Sequence, residues 1–146
     1  MANPGEPGSD DDEARELHRL VLLMRQYGEK HPEVLSAEER LADIFYSKEK
    51  FKDAAPIYRR LTQVMKDTSS NPLRAAVWFK LARTYEHLNQ SSEANECYEN
   101  AVELAKTTIG PLFPNLLESF LRFLKRTNAE KDRIEEIKAL IENLNR

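Results

Sequence analysis

The chain has 146 residues, of which 40% are hydrophobic and 32% are charged, with 22 basic side chains against 25 acidic ones. This length suits one domain with a continuous apolar core. The net charge of −3 argues against a general nucleic-acid or membrane-surface binder, because such proteins need a basic excess. The single cysteine, Cys97, excludes an internal disulfide and has no metal-ligand spacing.

The first segment, residues 1–9, combines proline, glycine and polar residues, and we expect it to be a disordered tail. It has neither a basic start nor an apolar stretch, so it does not resemble a secretory signal, and no apolar run in the chain reaches the roughly 20 residues that span a bilayer. We therefore expect a cytoplasmic protein without a membrane contact. The acidic run at residues 10–13 fits a helix N-cap with an acidic first turn better than an acidic docking tag.

Apolar residues then recur at helical spacing in seven successive segments. The first predicted helix, over residues 10–28, carries one apolar stripe: Leu17, Leu20, Val21, Met24 and Tyr27. Six further stripes pair into helical hairpins over residues 33–67, 72–108 and 111–146. No segment is left for a sheet, so the predicted domain over residues 10–146 is all-α.

An internal repeat organises these helices. Pro32, Pro72 and Pro111 each lie nine residues before a pair of apolar or small residues, and the intervals between successive prolines are 40 and 39 residues. The pairs are Leu41-Ala42, Leu81-Ala82 and Phe120-Leu121, and each is followed by a turn residue: Glu49, Asn89 and Asn128. The first helix follows the same repeat, since Ala14 and His18 precede Ala54 and Tyr58 by 40 residues. Such hairpins cannot bury their own faces, so they must stack into a solenoid.

The residues of the repeat resemble the tetratricopeptide repeat. The segment Trp78-Phe79-Lys80-Leu81-Ala82-Arg83-Thr84-Tyr85 is similar to the W-x-x-L-G/A-x-x-Y signature of that family. His31-Pro32-Glu33-Val34 resembles the start of helix A in the longer, kinesin-light-chain-like form of about 42 residues. The resemblance covers roughly residues 13–146 and implies a right-handed α-solenoid of antiparallel helical hairpins. It also implies a non-enzymatic module that binds a protein or peptide.

Two departures from the family pattern concern the ends of the array. Arg133 and Leu121 replace small residues in the last hairpin, which suits a terminal repeat. The first helix has no helix A partner and is either a native capping helix or the remnant of a longer array. Leu22 and Leu23 lie outside its core stripe, so homodimerisation through this face is the alternative function.

The resemblance also implies a concave groove lined by the A helices. Carried over by register, its candidate residues are Glu39, Asp43, Tyr46, Phe79, Lys80, Arg83, Glu86, His87, Arg122, Lys125 and Arg126. The groove would run from acidic to basic, with Phe79 and Tyr46 as apolar contacts for an extended peptide. Carboxylates at Glu39 and Asp43 argue against the carboxylate clamp of chaperone-binding members.

The leading hypothesis is therefore an adaptor that binds a partner protein in this groove. Nothing in the sequence supports an enzyme, a cofactor or a metal: the histidines His18, His31 and His87 lie in different hairpins without ligand spacing. Binding of RNA by the basic third hairpin is weakened by the acidic first one.

Overall fold

The computed structural model describes residues 10–107, 110 and 112–146, and over these residues the fold is entirely helical. The seven helices are α1 (Asp10–Tyr27), α2 (Pro32–Ser47), α3 (Phe51–Val64), α4 (Asn71–His87), α5 (Ser91–Ala105), α6 (Leu112–Arg126) and α7 (Lys131–Leu144). The predicted all-α fold is thus confirmed. The predicted tail at residues 1–9, the proline Pro111 and the end of the second hairpin at residue 108 lie outside the described residues.

Local sequence explains where the A helices start. Pro32 lies in the first turn of α2, where a missing backbone N–H costs nothing, and its fixed φ suits the helix. The ring nitrogen Nδ1 of His31 accepts a hydrogen bond from the backbone N–H of Glu33 at 3.2 Å and so caps this helix. Pro72 occupies the same place at the start of α4.

The three repeated turn residues share one backbone conformation. Glu49, Asn89 and Asn128 have φ values of 60°, 58° and 54°, in the left-handed region. The residue after each donates its N–H to the carbonyl of Phe45, Tyr85 or Leu124, at 2.8, 2.9 and 3.0 Å respectively. Each bond closes an A helix and reverses the chain into its B helix. The period in the sequence therefore corresponds to one turn geometry used three times.

Small residues let the helices of each hairpin approach closely. Ala42 of α2 and Ala54 of α3 are fully buried, as are Ala82 of α4 and Ala94 of α5. Tyr58 and Tyr98, four residues after the B-helix alanines, are the largest side chains buried to this extent. The core therefore runs continuously through the hairpins, as the predicted stacking requires.

The predicted stripe of α1 is wrong in part. Leu20 is buried among Val34, Ala37 and Leu41 of α2, whereas Leu17 and Val21 are 51% and 39% exposed. Tyr27 is also exposed, at 45%. Within the residues that the structure describes, α1 packs mainly on α2, and the apolar residues beyond that contact stay in solvent. Of the two leucines predicted outside the stripe, Leu22 is 50% exposed, whereas Leu23 packs against the cluster of Leu20 with α2.

The register of α1 also shifts by one residue from the prediction. Leu20 is the buried counterpart of Leu61 on α3, which lies 41 residues later rather than 40. By this alignment Leu17, and not His18, occupies the position of Tyr58.

In the last hairpin, the residue that departs from the repeat pattern joins α7 to α5. Arg133 of α7, at an expected small position, donates to both carboxylate oxygens of Glu99 on α5, at 3.0 and 2.5 Å. A third bond joins Arg133 to Glu136 at 2.6 Å. The long side chain thus ties α7 to the preceding hairpin.

Candidate functional site

The A helices α2, α4 and α6 present the candidate groove, which consists of two parts. We call the surface between α2 and α4 the first groove step and the surface between α4 and α6 the second groove step. Contacts between neighbouring A helices join residues that are about one repeat apart, such as Lys80 with Glu39 and Arg126 with Glu86. The register therefore places the predicted groove residues of successive helices side by side.

In the first groove step, opposite charges are already paired. The ammonium nitrogen of Lys80 lies 2.6 Å from a carboxylate oxygen of Glu39 and 3.0 Å from one of Asp43. Asp43 also accepts a hydrogen bond from the hydroxyl of Tyr58, which rises from α3. Burial acts to lower the pKa of Lys80, but the two carboxylates outweigh it and raise that pKa above its ordinary value. A pocket of about 180 Å³ lies here, lined by Asp43, Tyr46, Tyr58, Lys80 and Arg83.

An aromatic cluster separates the two steps. Tyr46 packs edge-to-face on Phe51 and on His87, with ring centroids 5.2 and 5.5 Å apart, while Phe51 and His87 stack at 4.1 Å. The hydroxyl of Tyr46 shares a hydrogen bond of 3.1 Å with Nε2 of His87. The guanidinium of Arg83 lies over the Tyr46 ring, 5.6 Å from its centroid. Burial raises the pKa of Tyr46, so its hydroxyl stays protonated.

The second groove step is wider and basic. Its pocket holds about 420 Å³ and is lined by Arg83, Glu86, His87, Tyr98, Ser119, Arg122, Phe123 and Arg126. The one carboxylate among these, Glu86, accepts a hydrogen bond from the Tyr98 hydroxyl and pairs with Arg126 at 2.8 Å. Arg122 donates to the hydroxyl of Ser119 at 3.2 Å and is exposed. Three guanidinium groups therefore surround a pocket that contains one carboxylate.

Two expectations about the groove need correction. Phe79 is 8% exposed and belongs to the core, with its ring 6.1 Å from that of Tyr98, so it does not offer an open apolar contact. The acidic end predicted for the first hairpin is partly neutralised by Lys80 of the next helix, which pairs with both Glu39 and Asp43. Lys125 is exposed on α6, outside the lining of the second-step pocket.

Sequence reasoning missed the contribution of the B helices. Tyr58 and Tyr98 reach up from α3 and α5 to the two pockets, and each donates to a carboxylate of the A helix in its own hairpin. The sequence does contain a sign of this contribution, because the two tyrosines recur at a spacing of 40 residues. The ion pairs were also detectable, since they join opposite charges 40 or 41 residues apart.

The described residues offer little for metal or thiol chemistry. No group of three or more His, Cys, Asp or Glu side chains there could hold a metal ion. Cys97 is buried, and burial raises the pKa of its thiol to about 12, so the thiolate is scarce at neutral pH. None of the helices described is long and apolar enough to cross a membrane.

Known proteins agree with this architecture. Residues 75–108, which span α4 and α5, match the model of the tetratricopeptide repeat family. Two solved structures of a candidate kinesin light chain from Podosopora anserina, with nearly identical TPR-like repeats, superpose with a TM-score of 0.74. One of them, a point variant, is 18% identical over 90% of this chain, and the other is 17% identical over 91%. This chain spans 64% and 65% of those structures, and no curated protein matches it in sequence.

The fold is therefore an α-solenoid of tetratricopeptide-like helical hairpins. The two solved structures named above have repeats of this same kind. A tetratricopeptide repeat is in general a protein–protein interaction module, and this type of fold is a non-enzymatic scaffold.

Proposed function

We propose that this chain is an adaptor that binds an extended, acidic segment of a partner protein along its concave groove, with the second groove step as the principal site. One observation carries the proposal. Arg83, Arg122 and Arg126 surround a pocket of about 420 Å³ whose single carboxylate, Glu86, already has two partners. Such a pocket favours an anionic occupant.

The chemistry of the arginines supports a carboxylate ligand. A guanidinium presents planar, paired N–H donors that match a carboxylate and lose little hydration on binding. Arg122 forms no ion pair within the part of the chain that the structure describes, since its one hydrogen bond goes to the neutral Ser119. Its donors therefore remain available to a ligand.

Apolar contact beside this charge comes from rings at the edge of the pocket. Phe123 belongs to the lining but is only 2% exposed, and the guanidinium of Arg126 lies 5.9 Å from its ring centroid. At the other side of Arg83, the rings of Tyr46 and His87 offer an apolar edge towards the first groove step. A segment with acidic residues next to a large apolar residue would use both features.

The first groove step contributes less, because its carboxylates and Lys80 are already paired. Lys80 is held by Glu39 and Asp43, so an incoming acidic residue would meet two carboxylates there, and the further cation in the pocket lining is Arg83, which the two steps share. The same carboxylates argue against capture of a terminal carboxylate at this end of the groove.

The test is a charge reversal in the second groove step. Acidic, neutral and basic ten-residue peptides are screened on an array, and the best acidic peptide is titrated by fluorescence anisotropy. We expect Arg122→Glu to weaken binding at least tenfold, because the exposed side chain contributes a direct charge-assisted contact. Binding should also weaken as salt rises.

Lys131→Glu is the matched control, because it reverses an exposed charge on α7, away from the groove. It should leave the affinity unchanged. Equal affinity of wild type and Arg122→Glu for the peptide would refute the proposed site. A single-stranded RNA of similar charge, titrated in parallel, should bind more weakly than the peptide, and tighter binding of the RNA would also count against the proposal.

A further inference from the structure

The lining of the second groove step has more positive charge than one carboxylate ligand can balance. The guanidinium groups of Arg83, Arg122 and Arg126 share the lining with a single carboxylate, that of Glu86. Each oxygen of that carboxylate already has a partner, because one accepts from the Tyr98 hydroxyl and the other pairs with Arg126. With the histidine of the lining neutral, the pocket keeps an excess of two positive charges.

Donors of the three guanidinium groups remain open to a ligand. Within the described residues neither Arg83 nor Arg122 forms an ion pair: Arg83 lies over aromatic rings, and Arg122 donates to the hydroxyl of Ser119 at 3.2 Å. Arg126 uses one of its nitrogens for Glu86, and its side chain is 54% exposed. An anion that enters the pocket therefore does not have to displace a carboxylate from two of the three arginines.

Charges at the border of the pocket do not offset this excess. On α6, Glu118 lies one turn before Arg122 and Lys125 lies three residues after it, and both are exposed and outside the lining. These two border charges have opposite signs, so they cancel. On the side of the first groove step, Asp43 is already held by Lys80 at 3.0 Å.

The arginines approach the pocket from both of its walls. Arg83 on α4 and Arg122 on α6 occupy equivalent repeat positions, 39 residues apart, and Arg126 follows Arg122 by one helical turn. Burial and the Glu86 carboxylate raise the pKa of Tyr98, whereas Arg83 and Arg122 act on it in the opposite direction. Both guanidinium groups therefore act on the hydroxyl at the base of the pocket, and a small anion there would meet donors from two helices.

A phosphate ester matches this pocket better than a carboxylate does. At neutral pH it carries a charge of about −1.5 to −2 and three strong acceptor oxygens, whereas a carboxylate carries one charge and two oxygens. Guanidinium groups bind phosphate through paired N–H donors, so several of them can hold different oxygens of one phosphate. The pocket volume of about 420 Å³ is in the range of sites that hold small ligands.

We propose that the second groove step binds a phosphorylated serine or threonine of the partner segment, with the phosphate between Arg83, Arg122 and Arg126. This inference rests on the proposed function, since it names the residue that fills the same pocket. An aspartate or glutamate in that place leaves one positive charge of the lining unbalanced. Phosphorylation of the partner therefore raises its affinity for this chain, and a kinase that acts on the partner regulates the interaction.

The test compares peptides that differ at one position. Each acidic ten-residue peptide of the array is made with serine, glutamate or phosphoserine at its centre, and fluorescence anisotropy gives the affinity of each form. We expect the phosphoserine form of the best peptide to bind about tenfold more tightly than the glutamate form, because the second charge and the third oxygen add charge-assisted hydrogen bonds.

Variants on α6 separate this preference from a general attraction between charges. Arg122→Gln should lower the ratio of the phosphoserine affinity to the glutamate affinity about fivefold, because it removes a charged donor pair. Arg122→Lys should retain only part of the ratio, since it keeps the charge without the paired donors. Lys125→Gln is the matched control, because it removes an exposed charge of the same helix outside the pocket lining and should leave the ratio unchanged. Circular dichroism checks that each variant is folded.

The outcomes distinguish this inference from the proposed function. Equal affinity of the phosphoserine and glutamate forms overturns the inference and leaves the proposed function standing, whereas absence of binding by every form overturns both. Binding by the phosphoserine form alone supports the inference and confines the proposed function to phosphorylated segments. A ratio that falls as much in Lys125→Gln as in Arg122→Gln overturns the assignment to this pocket.

Two other sources of phosphate are titrated as competitors of the phosphoserine peptide. These are inorganic phosphate and phosphatidylcholine vesicles that contain a phosphatidylinositol phosphate. Both should compete only at phosphate concentrations far above the dissociation constant of the peptide. If either displaced the peptide at a concentration near that constant, the occupant of the pocket would not be a phosphorylated segment, and the inference would be overturned.

Discussion

The two groove steps are built from the same repeat positions, yet they differ in what they offer a ligand. The position of Asp43 on α2 carries Arg83 on α4 and Arg122 on α6. In the first groove step Lys80 pairs with both Glu39 and Asp43, and the pocket holds about 180 Å³. In the second the cations outnumber the carboxylate, and the pocket holds about 420 Å³. The same repeat positions thus form a brace between helices in the first groove step and a basic pocket in the second.

The core permits this difference because its apolar contacts lie beneath the groove, and it meets the groove charges through the hydroxyls of Tyr58 and Tyr98. Buried alanines and tyrosines fix the spacing of the hairpins, as Ala54 and Tyr58 do in the first hairpin and Ala94 and Tyr98 do in the second. Groove positions can therefore change sign without moving the backbone. Variants in each step can therefore show how far the first groove step is structural and how far the second is available for binding.

The largest expected effect is on stability, from Lys80→Glu. The substitution places a third carboxylate beside Glu39 and Asp43, both partly buried, and removes the cation that they share. We expect the free energy of unfolding to fall by roughly 2 kcal/mol, between the values for exposed and buried ion pairs, since an uncompensated charge cluster replaces a paired one. Urea denaturation measures this.

Arg122→Glu in the second groove step provides the comparison for that variant. It should change stability by less than about 0.5 kcal/mol, because exposed charges contribute little. High salt should recover part of the loss in Lys80→Glu. If both variants lost the same stability, the two steps would not differ in the way described.

A smaller loss of stability is expected when the two tyrosines beneath the groove steps are replaced by phenylalanine. Tyr58→Phe and Tyr98→Phe each remove a hydroxyl that donates to a carboxylate. Each should lower the free energy of unfolding by about 1.5 kcal/mol, the low end for a hydrogen bond to a charged group. Thermal or urea denaturation at pH 7 measures the loss, and a loss near zero for either variant would show that its bond is dispensable.

The same tyrosines predict the alkaline behaviour of the protein. Burial, followed by the neighbouring carboxylate, raises the pKa of Tyr58 and Tyr98 above the ordinary value. A raised pKa means that the folded state holds its proton longer than the unfolded chain does. Their contribution to stability is therefore full below about pH 10 and is lost as pH rises through the folded-state pKa. In the double phenylalanine variant, denaturation midpoints should fall less steeply between about pH 9 and pH 11.

Local signals made most of the fold predictable from the sequence. Proline in a first helical turn and a residue such as Asn89 with positive φ act on their own segment of chain, so they mark helix ends without knowledge of the packing. Buried alanines recur once per repeat because the backbones of two helices come close at each of them. Local causes and periodic causes both leave a pattern that can be seen in the sequence.

The predictions that were wrong concern side chains whose exposure depends on packing and not on the period of the repeat. α1 rotates by one residue relative to the repeat because, among the described helices, mainly α2 positions it, so Leu17 is exposed although its pattern is apolar. Phe79 shares the register of the groove, but its ring turns inward towards Tyr98. Register assigns a residue to the concave side of a helix, and the side chains beneath it determine whether that residue is accessible.

The smallest expected effect separates binding from stability in the second groove step. Glu86→Gln keeps an oxygen that can accept the Tyr98 hydroxyl but removes the ion pair with Arg126, whose side chain is 54% exposed. Stability should therefore fall by less than about 1 kcal/mol. The affinity for the acidic peptide should rise about twofold to fivefold, because the guanidinium is released and the pocket loses its one negative charge. The conservative control is Glu118→Gln, which removes an exposed charge on α6 outside the pocket lining. Weaker binding by Glu86→Gln would mean that Glu86 holds Arg126 in the orientation that binds the peptide, so that the ion pair belongs to the site instead of competing with the ligand.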